Sequence, residues 1–189
     1  MSFRPAADLA DGHSVRWRAL EGDGLEHLTL RAEANGLRAD SVLVGERDGQ
    51  RFGATYRIDY DADFAVCSFD VATTDGRGLA MTRRDGAWHD DARGHLPAFD
   101  GCIDIDLSAT PFTNTLPIRR LAWQPGEQRR VAMLFVPFDS FVPFVTEQLY
   151  TCLAPRLFRF ETADGSFTAE LPVDEDGLVI DYPCLFQRL

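Results

Sequence analysis

Between residues 103 and 121 the chain reads Ile-Asp-Ile-Asp-Leu-Ser-Ala-Thr-Pro-Phe-Thr-Asn-Thr-Leu-Pro-Ile-Arg-Arg-Leu, and the side chains with chemistry to offer crowd together there. Asp104 and Asp106, four hydroxyls, Asn114 and the adjacent Arg119 and Arg120 are interleaved with Ile, Leu and Phe. Polar groups set that densely among apolar ones either satisfy one another in the interior or face a ligand. On a strand, Asp104 and Asp106 leave the same face with Cα atoms roughly 6.5–7 Å apart. A pair so placed can raise one carboxyl pKa for cleavage of a sugar or lipid ester, or hold a metal ion. The structural reading is that the acids pair with arginine, as buried acids normally do, and close one end of the fold. The sequence favours this pairing. Neighbouring arginines must diverge, so one is expected to meet the carboxylates inside and the other to reach an opening.

Other clusters offer less. Asp59-Tyr-Asp-Ala-Asp63 imitates the start of a calcium loop, but Phe64 stands where a glycine is needed and Asp70 where the bidentate glutamate belongs. A solvated hairpin turn is the expectation. His89 and His95 flank Asp90 and Asp91 in a Gly- and Asp-rich stretch at no recurring metal spacing. No nucleophile elbow, phosphate loop, dinucleotide fingerprint or paired-histidine zinc motif is present, so no cofactor and no metal is expected.

The elements that must position these residues are strands. Asp-Gly occurs at 11–12, 23–24, 48–49, 75–76, 85–86, 100–101, 164–165 and 176–177, and Asn-Gly at 35–36, each a source of the positive φ that tight hairpins use. Residues 51–60 place Phe52, Ala54, Tyr56, Ile58 and Tyr60 on one face and polar residues on the other. The same period of two runs through Leu28-Leu30-Ala32, Cys67-Phe69-Val71, Val131-Met133-Phe135 and Phe167-Ala169-Leu171-Val173. One buried and one wet face is the mark of an antiparallel sheet. Helix signals are thin: a short turn near 114–121, with Thr113 as N-cap, limited by Pro117. The expected fold class is all-β, a single rolled, many-stranded antiparallel sheet with one or two short helical turns, forming one domain over 1–189.

Composition narrows the function classes. A formal charge of −11 argues against nucleic acid and anionic bilayers as partners. All 19 basic residues are arginine, which removes Schiff-base and lysine-nucleophile chemistry. No run approaches an 18-residue apolar span, so an integral membrane protein is not expected. Cys67, Cys102, Cys152 and Cys184 are widely spaced, and the acidic start of the chain lacks an export signal's apolar core. A cytoplasmic location with reduced thiols follows as an expectation.

Phenylalanine is abundant, at 14 residues, and Phe135, Phe138, Phe141, Phe144, Phe158, Phe160 and Phe167 gather in the last third with Tyr150. Part of that must be core. Phe138-Asp-Ser-Phe141-Val-Pro-Phe144, however, carries more aromatic surface than a turn usually tolerates, as a pocket mouth or a contact with a second subunit in a homo-oligomer would.

In order along the chain come Tyr56-Arg-Ile-Asp, the whole 101–121 segment, Glu147-Gln-Leu-Tyr150 and Val173-Asp-Glu-Asp-Gly-Leu-Val-Ile-Asp-Tyr-Pro183. This set resembles the bacterial family called "putative glycolipid-binding". The resemblance implies a rolled sheet similar in shape to periplasmic lipoprotein carriers and mycobacterial lipid-carrier lipoproteins, which hold acyl chains in an apolar cavity. It makes the expected function non-catalytic binding of a lipid-like ligand, glycosylated or not, in an apolar cavity. A hydrolase acting through Asp104 and Asp106, and an interaction protein with a packed core, remain the alternatives. In the binding reading, Arg119 and Arg120 hold the headgroup, oriented by Asp106, Thr110 and Asn114. Phe144, Tyr150, Asp181 and Tyr182 stand at the wall and rim.

Overall fold

A computed structural model describes residues 3–5, 8, 12–34, 36–47 and 49–189, with the backbone alone at Arg47. Most of the N-terminal stretch read for an export signal lies outside the described residues, as do Asp11, Asn35 and Asp48, which head three of the turn dipeptides. The chain runs as an antiparallel meander through β1 (His13–Ala19), β2 (Leu25–Glu33), β3 (Gly36–Arg47), β4 (Gln50–Tyr60), β5 (Val66–Thr73), β6 (Gly78–Arg84), β7 (Ala87–Asp90) and β8 (Gly94–His95). The C-terminal β14 (Asp181–Tyr182) and β15 (Phe186–Arg188) return to β1, completing a ten-stranded sheet. A second sheet of five strands has the order β13 (Thr168–Pro172), β12 (Leu157–Thr162), β11 (Phe144–Ala154), β10 (Gln128–Val136), β9 (Asp104–Leu107).

The expected all-β class holds, and its strands divide between two sheets. Alternation fixes their faces: Ala54, Tyr56, Ile58 and Tyr60 of β4 are all buried while their neighbours are not. Turn chemistry fixes the hairpins. Asp85 and Gly86 both have positive φ, 52° and 83°, the pairing that matches the twist of the strands they join. At 22–24 the positive φ falls on Gly22, and Gly24 is extended instead. A Cβ on Gly24 would lie 2.7 Å from the Cβ of Ala19, so close strand approach explains that glycine.

One pairing breaks the antiparallel rule. β9 runs parallel to β10, with Asp104 opposite Met133 and Asp106 opposite Phe135. Parallel neighbours cannot be joined by a tight turn and need a crossover. Here the crossover is residues 108–127, with a 3-10 turn at Phe112–Asn114 and the one α-helix described, α1 (Thr115–Arg120). Its segment 110–118 is buried between the sheets. Phe112 lies against Tyr56 and Tyr60 of β4 at ring distances of 6.5 and 6.2 Å, while the Tyr150 hydroxyl of β11 donates to Asn114 at 2.8 Å. Thr113 does not cap the helix as the sequence suggests, because its hydroxyl is spent on Asp106. No described helix is long and apolar enough to cross a membrane.

Candidate functional site

Beside the crossover the two sheets leave a cavity of roughly 600 Å³. Trp17, Leu43 and Phe52 wall it from the large sheet, and Phe135, Phe144 and Phe160 from the small one. Phe167, Tyr182 and Phe186 complete it from the C-terminal third. The rings support one another: Phe135 and Phe144 are 5.1 Å apart, Phe160 and Tyr182 6.1 Å. Its lining reaches an apolar rim on the surface, where Val44 and Phe144 are 52% and 51% exposed and Leu25 and Leu185 stand beside them. Contiguous apolar exposure of this kind marks a site for an apolar partner or ligand.

One part of the lining is polar, and here the crossover supplies the chemistry. Asp106 opens onto the cavity, its Oδ1 accepting from the Thr113 hydroxyl at 3.0 Å and its Oδ2 from the Gln148 amide at 2.6 Å. Tyr150 directs its hydroxyl at Gln148 Oε1 and Asn114 Oδ1, at 3.0 and 2.8 Å. The Asn114 amide donates to the carbonyl of Pro111. Each member therefore fixes the rotamer of the next. Burial outweighs the two hydrogen bonds on Asp106 and lifts its carboxyl above the usual range.

Glu26 is the second acid of the cavity. It is only 3% exposed, and its Oε1 accepts from the Tyr56 and Ser41 hydroxyls at 2.6 and 2.8 Å. Tyr56 also meets Thr110 Oγ1 at 3.3 Å, which ties this acid to the crossover. The second oxygen, Oε2, is buried without a partner. Burial, opposed by the hydrogen bonds from Tyr56, Thr110 and Ser41, raises the Glu26 carboxyl from 4.5 to about 7. The same burial, with the charge of Glu26 adding to it, pushes the Tyr56 phenol well up.

Of the residues expected from the sequence to meet a ligand, Asp106, Thr110, Asn114, Phe144 and Tyr182 line this cavity. Arg119, Arg120, Tyr150 and Asp181 do not, and each has a reason. Arg120 donates to both oxygens of Asp104, which is 0% exposed, with Nε at 3.1 Å from Oδ1. Burial dominates there too and holds Asp104 above its ordinary range despite the arginine. Arg119 donates to the carbonyls of Asp176 and Arg4, both at 2.7 Å, and its guanidinium lies 4.2 Å from the Phe64 ring centre. Burial lowers its pKa. Both arginines border a separate depression of roughly 530 Å³ with Phe3, Phe64 and Trp123. Neither lines the aromatic cavity: Arg120 takes the inner place expected of one arginine, on Asp104, while Arg119 is spent on backbone carbonyls. Tyr150 is fully buried and acts through Asn114 and Gln148. Asp181 precedes Tyr182 on β14, and alternation turns it away from the cavity.

This arrangement also separates Asp104 from Asp106. Arg120 occupies the first and Thr113 and Gln148 the second, so only Asp106 is presented to the cavity and the pair needed for ester or glycoside cleavage is not assembled there. Glu26 and Gln148 are the buried polar lining residues that were not expected from the sequence. Both were in phase with buried positions, Glu26 with Leu28 and Leu30 on β2 and Gln148 with Tyr150 and Cys152 on β11. A polar residue on the apolar face of an alternating strand was the available signal.

Elsewhere, Asp61 accepts from the backbone amides of Asp63 and Ala65, the local turn expected in place of a calcium loop. His89 and His95 pair across β7 and β8 with rings 5.2 Å apart. Among the described residues, one group has metal-compatible spacing, His13, Asp174 and Asp176. Arg188 already holds Asp174, and Arg4 faces Asp176 at 3.4 Å, so arginine supplies the positive charge a cation would bring.

Over residues 14–188 the chain matches the sequence profile of the family described as "Putative glycolipid-binding". It is also similar to a solved structure, the crystal structure of a DUF1089 family protein from Pseudomonas aeruginosa. The two share 41% identity with a TM-score of 0.77, covering 92% of this chain and 95% of that one. Among curated proteins none matches the chain.

Two outcomes are expected from the buried acids. Arg120→Met strands the Asp104 carboxylate and should lower unfolding free energy by about 3–5 kcal/mol, whereas Asp104→Leu combined with Arg120→Met should restore most of the loss; chemical denaturation of the three variants reads this directly. Glu26 has a folded pKa above its unfolded value, so its contribution to stability is complete below pH 4.5 and is lost as pH rises through about 7. Relative to wild type, Glu26→Gln should therefore gain about 3 kcal/mol between those limits. Parallel pH–stability curves for the two proteins would contradict the assignment.

Proposed function

Because the chain belongs to the family described as "Putative glycolipid-binding", we propose that it binds an amphiphile, with the apolar chain in the aromatic cavity between the sheets and the head among the polar groups of the crossover. The observation that carries this is the continuity of that cavity with an exposed apolar rim at Leu25, Val44, Phe144 and Leu185. A packed interior would close such a space, since voids forfeit dispersion contacts. A site for a small polar metabolite would not need an apolar mouth. Asp106, Asn114, Thr110 and Gln148 supply acceptors and donors fit for a hydroxylated head, held in place by Tyr150 and Thr113. The ligand class is thus lipid-like with a polar head, glycosylated or not, and the role is holding or presenting it rather than transforming it. A reducing, cytoplasmic setting belongs to the same reading, supported by four unpaired cysteines.

The neutral fluorophore N-phenyl-1-naphthylamine tests the cavity. It should bind one to one with a blue-shifted emission, and a dodecyl glycoside should displace it. Phe144 is half exposed, so Phe144→Asp should weaken binding by about tenfold while changing stability by less than roughly 1 kcal/mol. A collapse of the melting temperature in this variant would put Phe144 in the core instead. Absence of probe binding by the folded wild type would remove the binding reading altogether.

A further inference from the structure

The charged side chains that line the cavity are acidic without exception. Glu21, Glu26, Glu46 and Asp106 contribute to the lining, and no arginine or histidine does, in a chain that carries 19 arginines. The other acids with less than a tenth of their surface exposed have an arginine or a set of backbone amides at hand, and Asp106 has one side-chain donor on each oxygen. Asp104 meets Arg120, Asp176 faces Arg4, and Asp90 accepts from the amides of Ala92 and Arg93. Glu26 departs from that pattern. Its hydrogen bonds from Ser41 and Tyr56 both fall on Oε1, and Oε2 is buried without a partner in a residue that lines the cavity.

We propose that the amphiphile bound in this cavity carries a cationic head, an ammonium or protonated amine, for which Glu26 Oε2 is the counter-ion. The inference rests on the reading that the cavity holds an amphiphile, and adds the charge of its head. A cation would complete the buried oxygen of Glu26 that lacks a partner, and the surrounding aromatic walls favour positive charge through their ring faces. An anionic head would find no cationic side chain in the lining and would face its carboxyls in a poorly hydrated space. A neutral sugar could hydrogen-bond to Oε2 but would leave its charge unmatched.

Proton linkage gives the assignment a signature. The groups packed around Glu26 are Ser41 from β3, Tyr56 from β4 and Thr110 from the crossover; Asp106 from β9 shares the cavity, and Glu21 and Glu46 also line it. Tyr56 stays neutral because burial raises its phenol. Glu26 itself changes charge close to neutrality, at about 7. Binding of a permanent cation must therefore drive the remaining proton off, and affinity must rise with pH across that point.

Calorimetric titration with three probes of one chain length tests this: dodecyltrimethylammonium, dodecyl maltoside and dodecanoate, each below its micellar concentration in about 0.15 M salt, where long-range attraction to the acidic surface is screened. A charge-assisted contact is roughly twice as strong as a neutral one, so the ammonium probe should bind about tenfold tighter than the maltoside, with dodecanoate weakest. Proton release, read in two buffers of different ionisation enthalpy, should accompany the ammonium probe alone. Its advantage should grow from about pH 5.5 to about pH 8.5, and in Glu26→Gln the ratio of the two affinities should fall toward one. Equal binding of all three probes would overturn the cationic head and leave the cavity reading standing. So would a preference that neither pH nor Glu26→Gln alters, since that is attraction to the acidic surface at large. Binding of none of them would remove both.

Discussion

Two neighbouring strands that run parallel cannot be linked by a turn, and much of this molecule's chemistry follows from where that constraint falls. β9 and β10 are the parallel pair, so the twenty residues between them must leave the small sheet, cross its face and return. The face they cross is the one turned toward the large sheet. A backbone and its polar side chains are thereby carried into the interior, where every donor and acceptor needs a partner. The dense run of hydroxyls, amide, acids and arginines is the answer to that demand: Thr113 to Asp106, Tyr150 to Asn114, Thr115 to the Gly177 carbonyl, Arg120 to Asp104. Arg119 ties the helix to the carbonyls of Asp176 and Arg4, linking the crossover to both ends of the chain.

The crossover fills only part of the space between the sheets, and what it leaves is the cavity. One portion inherits the network's polar side, Asp106, Asn114 and Gln148, and the remainder is ring surface from both sheets. The division has an energetic consequence. Aromatic walls facing an unfilled volume lose contacts they would have in a packed core, and a hydrocarbon chain entering would recover about 25 cal/mol for each Å² it covers. Acids on a cavity wall, by contrast, gain from an occupant only if it brings hydrogen or charge. The proposed occupant is accordingly one molecule with two unlike ends.

Legibility in the sequence tracked the range of the interactions. Strand faces are set by period-two patterning within ten residues, and β4 shows the pattern without a break, so the all-β class could be read directly. Which strands become neighbours is not local information. Nothing within β9 announces that it lies beside β10 in parallel rather than antiparallel to it. The pairing of an arginine with Asp104 was legible, but Arg119 was not: its carbonyl partners lie 57 and 115 residues away, and no local pattern predicts a backbone acceptor at that distance. The aromatic cluster was half legible. Phe158 and Phe160 share one face of β12, yet the first packs into the core and the second reaches the cavity, a difference of depth that alternation cannot encode. Glu26 was hidden by its own charge, which reads as a solvent-facing residue until the phase of Leu28 and Leu30 places it inside.

The central claim is that the space between the sheets is a binding cavity rather than a packing defect. Native mass spectrometry of the freshly purified protein, before and after extraction with organic solvent, addresses that claim most directly. The account predicts a stoichiometric adduct of amphiphile mass that extraction removes, recovered in the organic phase and able to rebind the stripped protein. A single species at the mass of the bare chain, which takes up no amphiphile when one is added in excess, would contradict it.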